Sequence, residues 1–270
     1  MTAAKRPPGD YAAYLFDLDG TLYRGDRPLP GAAEVVRWLR ARGKKLLFLS
    51  NNPLRSRGAV AEKLTRLGLP AAPEEVLTTS HTTVAYLTEH HREARLYVIG
   101  DRLLQEEIRQ AGLRTTAVGK GAEVLVVSWD RGFTYAKLNH ALQALRGGAL
   151  CVLTNPDPTC PMPEGEVPDA GSLMAAIRAA SGRSPDVIIG KPSPILAEIA
   201  LRQLGVPAQE CLLTGDRLAT DIAFGRAAGM ATALVLTGVT RPAEAAATEV
   251  RPDYVWASLW ELIPGREGEL

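Results

Sequence analysis

Short apolar runs alternate with amphipathic segments along most of this 270-residue chain, and this alternation restricts the fold more than any other feature. The first third reads as strand, helix, strand, helix, strand, with strands at 12–17, 45–50 and 76–80 and helices at 31–42 and 59–67. Consecutive strand–helix–strand units form a parallel sheet covered by helices. Functional side chains are therefore expected at the carboxyl ends of the strands.

The alternation continues in the middle and the last third of the chain. Strands at 95–100, 124–128 and 150–154, with a helix at 135–145, predict a second α/β unit. After residue 187 the first pattern returns, with further strands at 211–214 and 232–236. No linker rich in Pro, Gly or Ser separates these parts. We therefore expect a doubly wound parallel-sheet core, formed by 1–82 and 185–270, with an α/β domain inserted at 83–184.

Two carboxylates stand at the predicted end of the first strand. Leu15 and Phe16 lead into Asp17-Leu18-Asp19-Gly20-Thr21, and Leu18 points away from the acids because strand side chains alternate. Acids placed in this way can hold a hard cation through oxygen ligands. One can also attack phosphorus while the other moves a proton. Gly20 allows the backbone to turn sharply and to approach a ligand.

Three further polar groups stand at predicted strand ends or in adjoining loops: Ser50-Asn51-Asn52, Lys191 between Gly190 and Pro192, and Asp216 with Asp221. Alone, each has an ordinary structural interpretation as a turn, a solvated lysine or a helix cap. Together they add a hydroxyl, a cation and metal-binding carboxylates to the first pair of acids. This set suits metal-assisted phosphoryl transfer through an aspartyl phosphate.

Composition removes several other classes of function. The formal net charge of +1 gives no reason to expect a nucleic-acid partner, and no apolar run reaches the ~20 residues that span a bilayer. Cys151, Cys160 and Cys211 lack metal-site spacing, and the N-terminus does not read as a signal peptide. Free core cysteines and a cytoplasmic location are therefore expected.

Three other functional classes compete with a phosphatase as interpretations of these residues. A nicotinamide dehydrogenase is disfavoured because no G-x-G-x-x-G follows a predicted strand. A phosphotransferase that passes the same aspartyl phosphate to an alcohol stays open, since only the acceptor differs. A non-catalytic binding module would more readily have lost Asp17 or Asp19.

These motifs resemble those of the haloacid dehalogenase superfamily of phosphohydrolases. Asp17-Leu18-Asp19-Gly20-Thr21 resembles its first motif, Ser50 its second, Lys191 its third, and Gly215-Asp216 with Asp221 its fourth. The long gap between Ser50 and Lys191 resembles the subclass with a C2-type α/β cap, which contains NagD-like, 4-nitrophenyl phosphate and phosphoglycolate phosphatases. The resemblance extends from about residue 14 to residue 262, and it implies a Rossmann-like core.

The resemblance also implies roles for the motif residues in a Mg²⁺-dependent phosphomonoester hydrolase. The Asp17 carboxylate, the Asp19 backbone carbonyl and Asp216 would hold Mg²⁺, and Asp221 would orient one of its water ligands. Asp17 would be the nucleophile, and Asp19 would serve as general acid and then as general base. The implied phosphate-binding residues are Ser50, Asn51, Asn52 and Lys191.

The implied cap would choose the substrate, a small phosphorylated metabolite. Asn155, Asp157 and the loop 159–168 are the residues predicted to select the substrate. Relatives with such caps often pair through them, so the resemblance also implies a homodimer formed through the cap. In two places the predicted cap departs from the family pattern. Ser128-Trp129-Asp130 stands where Gly-apolar-Asp is expected, and Asp169 stands where a glycine is expected.

Overall fold

The computed structural model describes residues 6–162 and 165–266. Its strands, numbered in chain order, are β1 (Ala13–Asp17), β2 (Tyr23–Arg24), β3 (Arg27–Pro28), β4 (Lys45–Ser50), β5 (Val76–Thr78), β6 (Arg95–Ile99), β7 (Arg114–Thr115), β8 (Val124–Val127), β9 (Leu150–Leu153), β10 (Thr159–Met162), β11 (Gly165–Pro168), β12 (Val187–Ile188), β13 (Cys211–Gly215), β14 (Ala231–Val235) and β15 (Tyr254–Trp256).

Helices alternate with most of these strands. They are α1 (Ala32–Ala41), α2 (Arg57–Arg66), α3 (Thr79–His90), α4 (Arg102–Gln110), α5 (Tyr135–Arg146), α6 (Ala170–Ser181), α7 (Pro194–Leu204), α8 (Ala223–Ala227) and α9 (Pro242–Ala247). A π-helical turn, Leu218–Ile222, precedes α8. Short 3-10 helices lie at Pro8–Asp10, Pro73–Glu75, Ala208–Glu210 and Leu259–Leu262.

The chain divides into two compact units. The first contains Met1–Ser50, Arg57–Leu77 and Leu196–Leu270, as far as these ranges are described, and the second contains Asn51–Ser56 and Thr78–Ile195. The predicted insert, 83–184, lies wholly inside the second unit. That unit also takes 51–56, 78–82 and 185–195, so the predicted boundaries at 82/83 and 184/185 do not coincide with the observed ones. The assignment of core and cap roles to these units stays a prediction.

A parallel sheet with the strand order β15-β14-β13-β1-β4-β5 organises the first unit. From β1 the chain proceeds outwards to β4 and β5 on one side, and it later returns to β13, β14 and β15 on the other. The strand order therefore reverses between β1 and β13, at the position where doubly wound folds bind ligands. The predicted doubly wound α/β fold is confirmed.

Alternating side chains of the central strands feed two apolar layers of the first unit. Tyr14 and Phe16 of β1 pack in one layer with Val35 and Leu39 of α1. Leu15, between them, packs in the other layer with apolar residues of α7 and β13. Burial on both sides makes these strands continuously apolar, as a parallel sheet covered by helices requires.

The second unit has its own parallel sheet, with the order β12-β9-β8-β6-β7. A hairpin of β10 and β11 spans the predicted selecting loop 159–168, of which residues 163–164 fall outside the described residues. Val187–Ile188 pairs with β9 here, whereas the sequence placed residues 187–189 in the core. The pairing assigns this strand, and the Lys191 segment after it, to the second unit.

Helix α3 corrects one sequence interpretation. The strand predicted at 76–80 ends at Thr78, whose hydroxyl caps the helix by accepting a hydrogen bond from the His81 N–H at 3.3 Å. Thr82 and Thr83 are buried, and their hydroxyls donate to the carbonyls four residues earlier. A helix whose buried face carries threonines lacks the apolar period that sequence reading detects.

Candidate active site

Three carboxylates meet at the carboxyl edge of the first unit's sheet. Asp17 ends β1, Asp216 follows β13, and Asp221 lies in the π-helical turn Leu218–Ile222. Each offers one carboxylate oxygen, and these oxygens all lie within 4.8 Å of one another. The group lies at the carboxyl ends of the strands, at the switch point between β1 and β13.

Close backbone packing surrounds the Asp216 carboxylate. Its Oδ2 accepts a hydrogen bond from the Val239 N–H at 2.7 Å. A Cβ at Gly238 would lie 1.9 Å from this oxygen, and a Cβ at Gly20 would lie 2.6 Å from it. Gly20 also has a φ of +88°, in the left-handed region that glycine tolerates best. Only glycine at both positions leaves room for Asp216.

The loop after β14 joins the loop after β1. The Thr237 hydroxyl donates to the Gly20 carbonyl at 2.7 Å, and Arg24 Nη2 donates to the Thr237 carbonyl at 2.7 Å. The Thr240 N–H donates to the Asp216 carbonyl at 3.2 Å. These contacts hold the first and fourth motif segments together through a third segment to which the sequence analysis assigned no role.

Asp221 is fixed from its own turn. Its Oδ2 accepts a hydrogen bond from the Arg217 N–H at 3.0 Å, and its side chain is buried. A Cβ at residue 215 would lie 2.3 Å from the Asp221 Cβ, so Gly215 is required where strand and turn approach each other. The carboxylate expected to orient a water ligand therefore lies in the same group as the two expected metal ligands.

Asp19 stands apart from this group. Its side chain is exposed, and its backbone forms an isolated bridge with Tyr23. The carbonyl of Leu18 accepts hydrogen bonds from the N–H groups of residues 21, 22 and 23, and the Gly20 N–H donates to the Tyr23 carbonyl at 2.8 Å. The tight turn presents Asp19 to solvent while Asp17 stays partly buried. This separation is consistent with different chemical tasks for the two acids.

The predicted phosphate-binding segment after β4 has its side chains largely engaged. Ser50 ends β4 in the first unit, whereas Asn51 and Asn52 belong to the second. The Asn52 side chain accepts a hydrogen bond from the Leu54 N–H at 2.9 Å and donates to the Cys160 sulfur at 3.9 Å. The Asn51 amide binds the backbone of Lys191 and the carboxylate of Asp157. Both hydrogens of the Asn51 amide are used in these bonds, so this residue can offer a phosphate only its backbone N–H.

Lys191 lies in a defined loop of the second unit. Its side chain is buried, with 2% exposure, and the Lys191–Pro192 peptide bond is cis. The Gly190 N–H donates to the Thr154 carbonyl at 2.7 Å, and the Ser193 N–H donates to the Gly190 carbonyl at 2.9 Å. The solvated-lysine interpretation is therefore wrong, because the local backbone holds the residue in place.

Asn155 and Asp157, the predicted substrate-selecting residues, are hydrogen-bonded to each other in the second unit. Asn155 is completely buried, and its amide donates to Asp157 at 3.3 Å and to Asp169 at 3.1 Å. Asp157 accepts from Asn155 and also from Asn51. A side chain with no exposed surface makes no direct contact with a substrate. For Asn155 the predicted direct role in selection is therefore replaced by an internal structural one.

The cysteines are free and buried, as expected from their spacing. Burial raises the pKa of Cys151 to about 12 and that of Cys211 to about 11, so both are thiols at neutral pH. Among the described residues, no helix is both long enough and apolar enough to cross a membrane.

The grouped acids suit a hard divalent cation. Such an ion is bound by oxygen ligands, and carboxylates near one another at a sheet edge provide them. Two of the three acids, Asp216 and Asp221, are buried, so a nearby cation would compensate negative charge that water does not reach. The donor set therefore fits Mg²⁺ on the chemistry of its own residues.

Comparison with known proteins extends the resemblance to nearly the whole chain. A haloacid dehalogenase-like hydrolase model matches residues 14–114, and a HAD-hydrolase-like model matches residues 188–262. The sugar-phosphatase AraL of Bacillus subtilis (strain 168) is 37% identical over 262 residues, covering 97% of this chain and 96% of the relative.

Two solved structures are also similar over most of the chain. The 4-nitrophenylphosphatase from Thermotoga maritima has a TM-score of 0.89 at 34% identity, covering 96% of this chain and 98% of its own. A glycerol phosphate phosphatase from Mycobacterium tuberculosis, in complex with magnesium, has a TM-score of 0.86 at 34% identity. That match covers 96% of this chain and 78% of its own.

A doubly wound sheet with acids grouped at its switch point, together with phosphatases as its relatives, defines a phosphate-ester hydrolase. The chain belongs to the haloacid dehalogenase-like hydrolase family and is a phosphatase. Its likeness to NagD-type and 4-nitrophenyl phosphate phosphatases, read from the motifs, is confirmed. The homodimer stays a prediction.

Proposed function

We propose that this phosphatase is a Mg²⁺-dependent phosphomonoester hydrolase that acts on a small phosphorylated metabolite through an aspartyl phosphate. The observation that carries the proposal is the group formed by Asp17, Asp216 and Asp221 at the switch point of the sheet. A nucleophilic carboxylate beside two further acids needs a cation before it can approach an anionic phosphate. The grouping provides the ligands for such a cation.

The residues that would hold Mg²⁺ are Asp17, Asp216, Asp221 and the backbone carbonyl of Asp19. When bound, the ion neutralises charge on the acids and on the phosphoryl oxygens. Val239 and Arg217 hold Asp216 and Asp221 through their backbone N–H groups, so two of the proposed ligands are oriented in advance.

In the first step a carboxylate oxygen of Asp17 forms a bond to phosphorus, and the bond from phosphorus to the ester oxygen breaks. Asp19 gives its proton to the departing alkoxide. In the second step a water oxygen attacks the same phosphorus, Asp19 takes a proton from that water, and the acyl phosphate bond breaks. Inorganic phosphate leaves, and both carboxyl groups return to their starting states.

Phosphate stabilisation is assigned to the Ser50 hydroxyl, the backbone N–H groups of Asn51 and Asn52, and the Lys191 ammonium. Negative charge moves among the equatorial oxygens during each transfer, and prearranged donors stabilise that charge without reorganisation. The buried, backbone-held environment of Lys191 supports this assignment, because a positioned cation acts more strongly than a solvated one.

The substrate is proposed to be a small phosphate ester. The names of the relatives point to sugar phosphates, nitrophenyl phosphate and glycerol phosphate, all of which are phosphomonoesters. A phosphotransferase would share the first step and differ only in its acceptor. The phosphatase names of the relatives favour water as that acceptor.

The nucleophile is tested with Asp17→Asn, which replaces a carboxylate by a poor nucleophile and a poorer metal ligand. Exposed Asp10, changed to Asn, is the control. We expect Asp17→Asn to retain less than about 1% of wild-type activity, since removing such a group costs several decades in rate. Acid-quenched wild type should also carry phosphate on the peptide containing residue 17, and the variant should not. Activity above that level, or a phosphopeptide in the variant, would reject Asp17 as nucleophile.

A further inference from the structure

The side-chain amide of Asn51 binds both backbone polar groups of Lys191. Its Oδ1 accepts a hydrogen bond from the Lys191 N–H at 2.9 Å, and its Nδ2 donates to the Lys191 carbonyl at 3.2 Å. The other hydrogen of Nδ2 goes to Asp157 Oδ2, at 2.9 Å. An amide has two donor hydrogens, so both are used here. All three residues belong to the second unit.

The Asp157 carboxylate favours the same orientation of the Asn51 amide as the backbone of Lys191 does. An ionised carboxylate only accepts hydrogen bonds, so it attracts Nδ2 and repels Oδ1. If the amide were reversed, Nδ2 would face the Lys191 N–H, donor against donor. The carboxylate therefore selects the orientation in which Asn51 can bind the N–H and the carbonyl of Lys191 together.

The surrounding structure keeps this arrangement in place. Asn155 donates to Asp157 Oδ2 at 3.3 Å, and its own Oδ1 accepts from the Thr154 hydroxyl at 2.9 Å. The Thr79 hydroxyl donates to the Asn51 carbonyl at 3.1 Å. A Cβ at residue 190 would lie 2.7 Å from Asn51 Oδ1. The glycine at this position therefore allows the backbone that leads into Lys191 to pass close to the Asn51 amide.

We propose that Asp157 is a positioning residue that orients the Asn51 amide, which in turn sets the backbone of Lys191 and so the direction of its ammonium. The proposal rests on the phosphate-binding role proposed for Lys191. It replaces the sequence prediction that Asp157 selects substrates. Phosphate is common to every substrate, so loss of Asp157 lowers activity on all of them by one factor. Loss of a contact to the leaving group would instead change their order.

Two variants and one control separate these outcomes. Asp157→Ala removes the acceptor, whereas Asp157→Asn retains an oxygen that can still accept from Asn51. Asp186→Ala is the matched control, because Asp186 also accepts from a backbone N–H, that of Cys151 at 2.7 Å. Cys151 lies in the amino-terminal half of β9, whereas Asp157 follows the carboxyl end of that strand. Thermal unfolding of each variant verifies that it folds.

The first readout is kcat/KM on 4-nitrophenyl phosphate, glycerol 3-phosphate, ribose 5-phosphate and AMP, with inorganic phosphate as product inhibitor. For Asp157→Ala we expect a loss of about 10²-fold that is equal across the panel, the scale that a small misplacement near the chemistry produces. The inhibition constant of phosphate should rise. Asp157→Asn should recover most of the activity, and Asp186→Ala should match wild type. If Asp157→Ala changes the ranking of the substrates by kcat/KM and leaves the inhibition constant of phosphate unchanged, the proposal is overturned.

The second readout does not depend on activity. Hydrogen exchange at the Lys191 amide, which donates to Asn51, should be roughly ten-fold faster in Asp157→Ala, because weakened orientation of Asn51 opens that bond more often. Unchanged exchange would overturn the positioning role. Lys191→Met, tested on the same panel, separates the two proposals. If it retains full activity, the phosphate-binding role of Lys191 fails, whereas the exchange result still decides whether Asp157 holds its backbone.

Discussion

At the scale of single residues, Asp169 carries a carboxylate that the second unit buries. Its exposure is 3%, its Oδ1 accepts from the Ala170 N–H, and its Oδ2 accepts from Asn155. Burial raises the pKa of Asp169 to about 6 from 3.8, with a smaller contribution from the nearby charge of Asp157, and its hydrogen bonds offset only part of the rise. The position where the family pattern expects glycine thus holds an acid that titrates close to neutrality.

This pKa predicts a pH-dependent stability. A raised folded-state pKa favours the protonated carboxyl, so its stabilisation is complete below pH 3.8 and is lost as the pH rises through about 6. The shift corresponds to about 3 kcal/mol of unfolding free energy. Asp169→Asn is neutral at every pH, so its stability relative to wild type should increase between pH 4 and 7 and stay constant above. Urea unfolding at several pH values measures this difference, and a constant difference would contradict the assignment.

Asp19 allows a second residue-scale prediction. Asp19→Asn retains the backbone but cannot transfer a proton, which typically costs about 10²–10⁴-fold in rate. The loss should be smaller for 4-nitrophenyl phosphate than for glycerol 3-phosphate, because nitrophenolate leaves without needing a proton. Rates on both substrates, measured side by side with wild type, give the ratio. Equal losses would count against Asp19 as the general acid.

At the scale of elements, the segment 236–240 packs against the acids at the switch point and against the loop after β1. It supplies the Val239 N–H to Asp216, and its Thr237 hydroxyl binds the Gly20 carbonyl after β1. On the same loop after β1, the Tyr23 ring packs under the ammonium of Lys63 of α2, 3.7 Å from the ring centroid. Elements distant in sequence thus fix the turn that carries Asp19.

Gly238→Ala tests the contribution of this segment. The added methyl would lie 1.9 Å from Asp216 Oδ2, so the loop or the carboxylate must move. We expect a loss of at least about 10²-fold in kcat and a higher Mg²⁺ requirement, because the proposed ligand is displaced. Gly43→Ala is the control, since its φ of +64° strains an alanine but no atom lies within 4 Å. That change should lower the melting temperature and leave the Mg²⁺ requirement unchanged, and the same requirement in both variants would contradict this role.

At the scale of the whole molecule, the proposed chemistry is divided between the units. The grouped carboxylates Asp17, Asp216 and Asp221 belong to the first unit, whereas Lys191 and the residues that hold it belong to the second. The proposed cation site and the proposed phosphate-binding lysine therefore belong to units with separate hydrophobic cores.

Mg²⁺ binding should accordingly stabilise the first unit and leave the second unchanged. A ligand at 100 times its dissociation constant adds about 2.7 kcal/mol to the state that binds it. Hydrogen exchange with Mg²⁺ and with EDTA should show slower exchange at residues 17–24, 215–222 and 236–240 when the ion is present. Strands β6, β8 and β9 of the second sheet serve as the internal control. Equal protection of both units, or none in the first, would contradict the metal assignment.

The sequence by itself determined the elements whose signal is local. Strand β4 was predicted with its exact bounds, 45–50, because a continuous apolar run marks a strand buried on both faces. The predicted parallel topology placed Asp17 and Asp216 at strand ends, and the resemblance to the family implied that both would hold one cation. Helix α3 was missed because its buried face carries threonines, and the hairpin of β10 and β11 because its strands are short.

Tertiary structure alone decided which unit holds Lys191 and what Asn51, Asn155 and Asp157 do. Asn51 and Lys191 lie 140 positions apart, and their hydrogen bonds leave no periodic trace in the sequence. A strand ending in Ser-Asn-Asn-Pro predicts a turn, but it does not show to which unit the turn belongs. The sequence also does not show whether a given Asp is exposed or buried. The spacing of apolar residues along the sequence predicts which faces of helices and strands are buried. A buried polar network depends instead on hydrogen-bond partners that are distant in sequence, and these come together only when the chain folds.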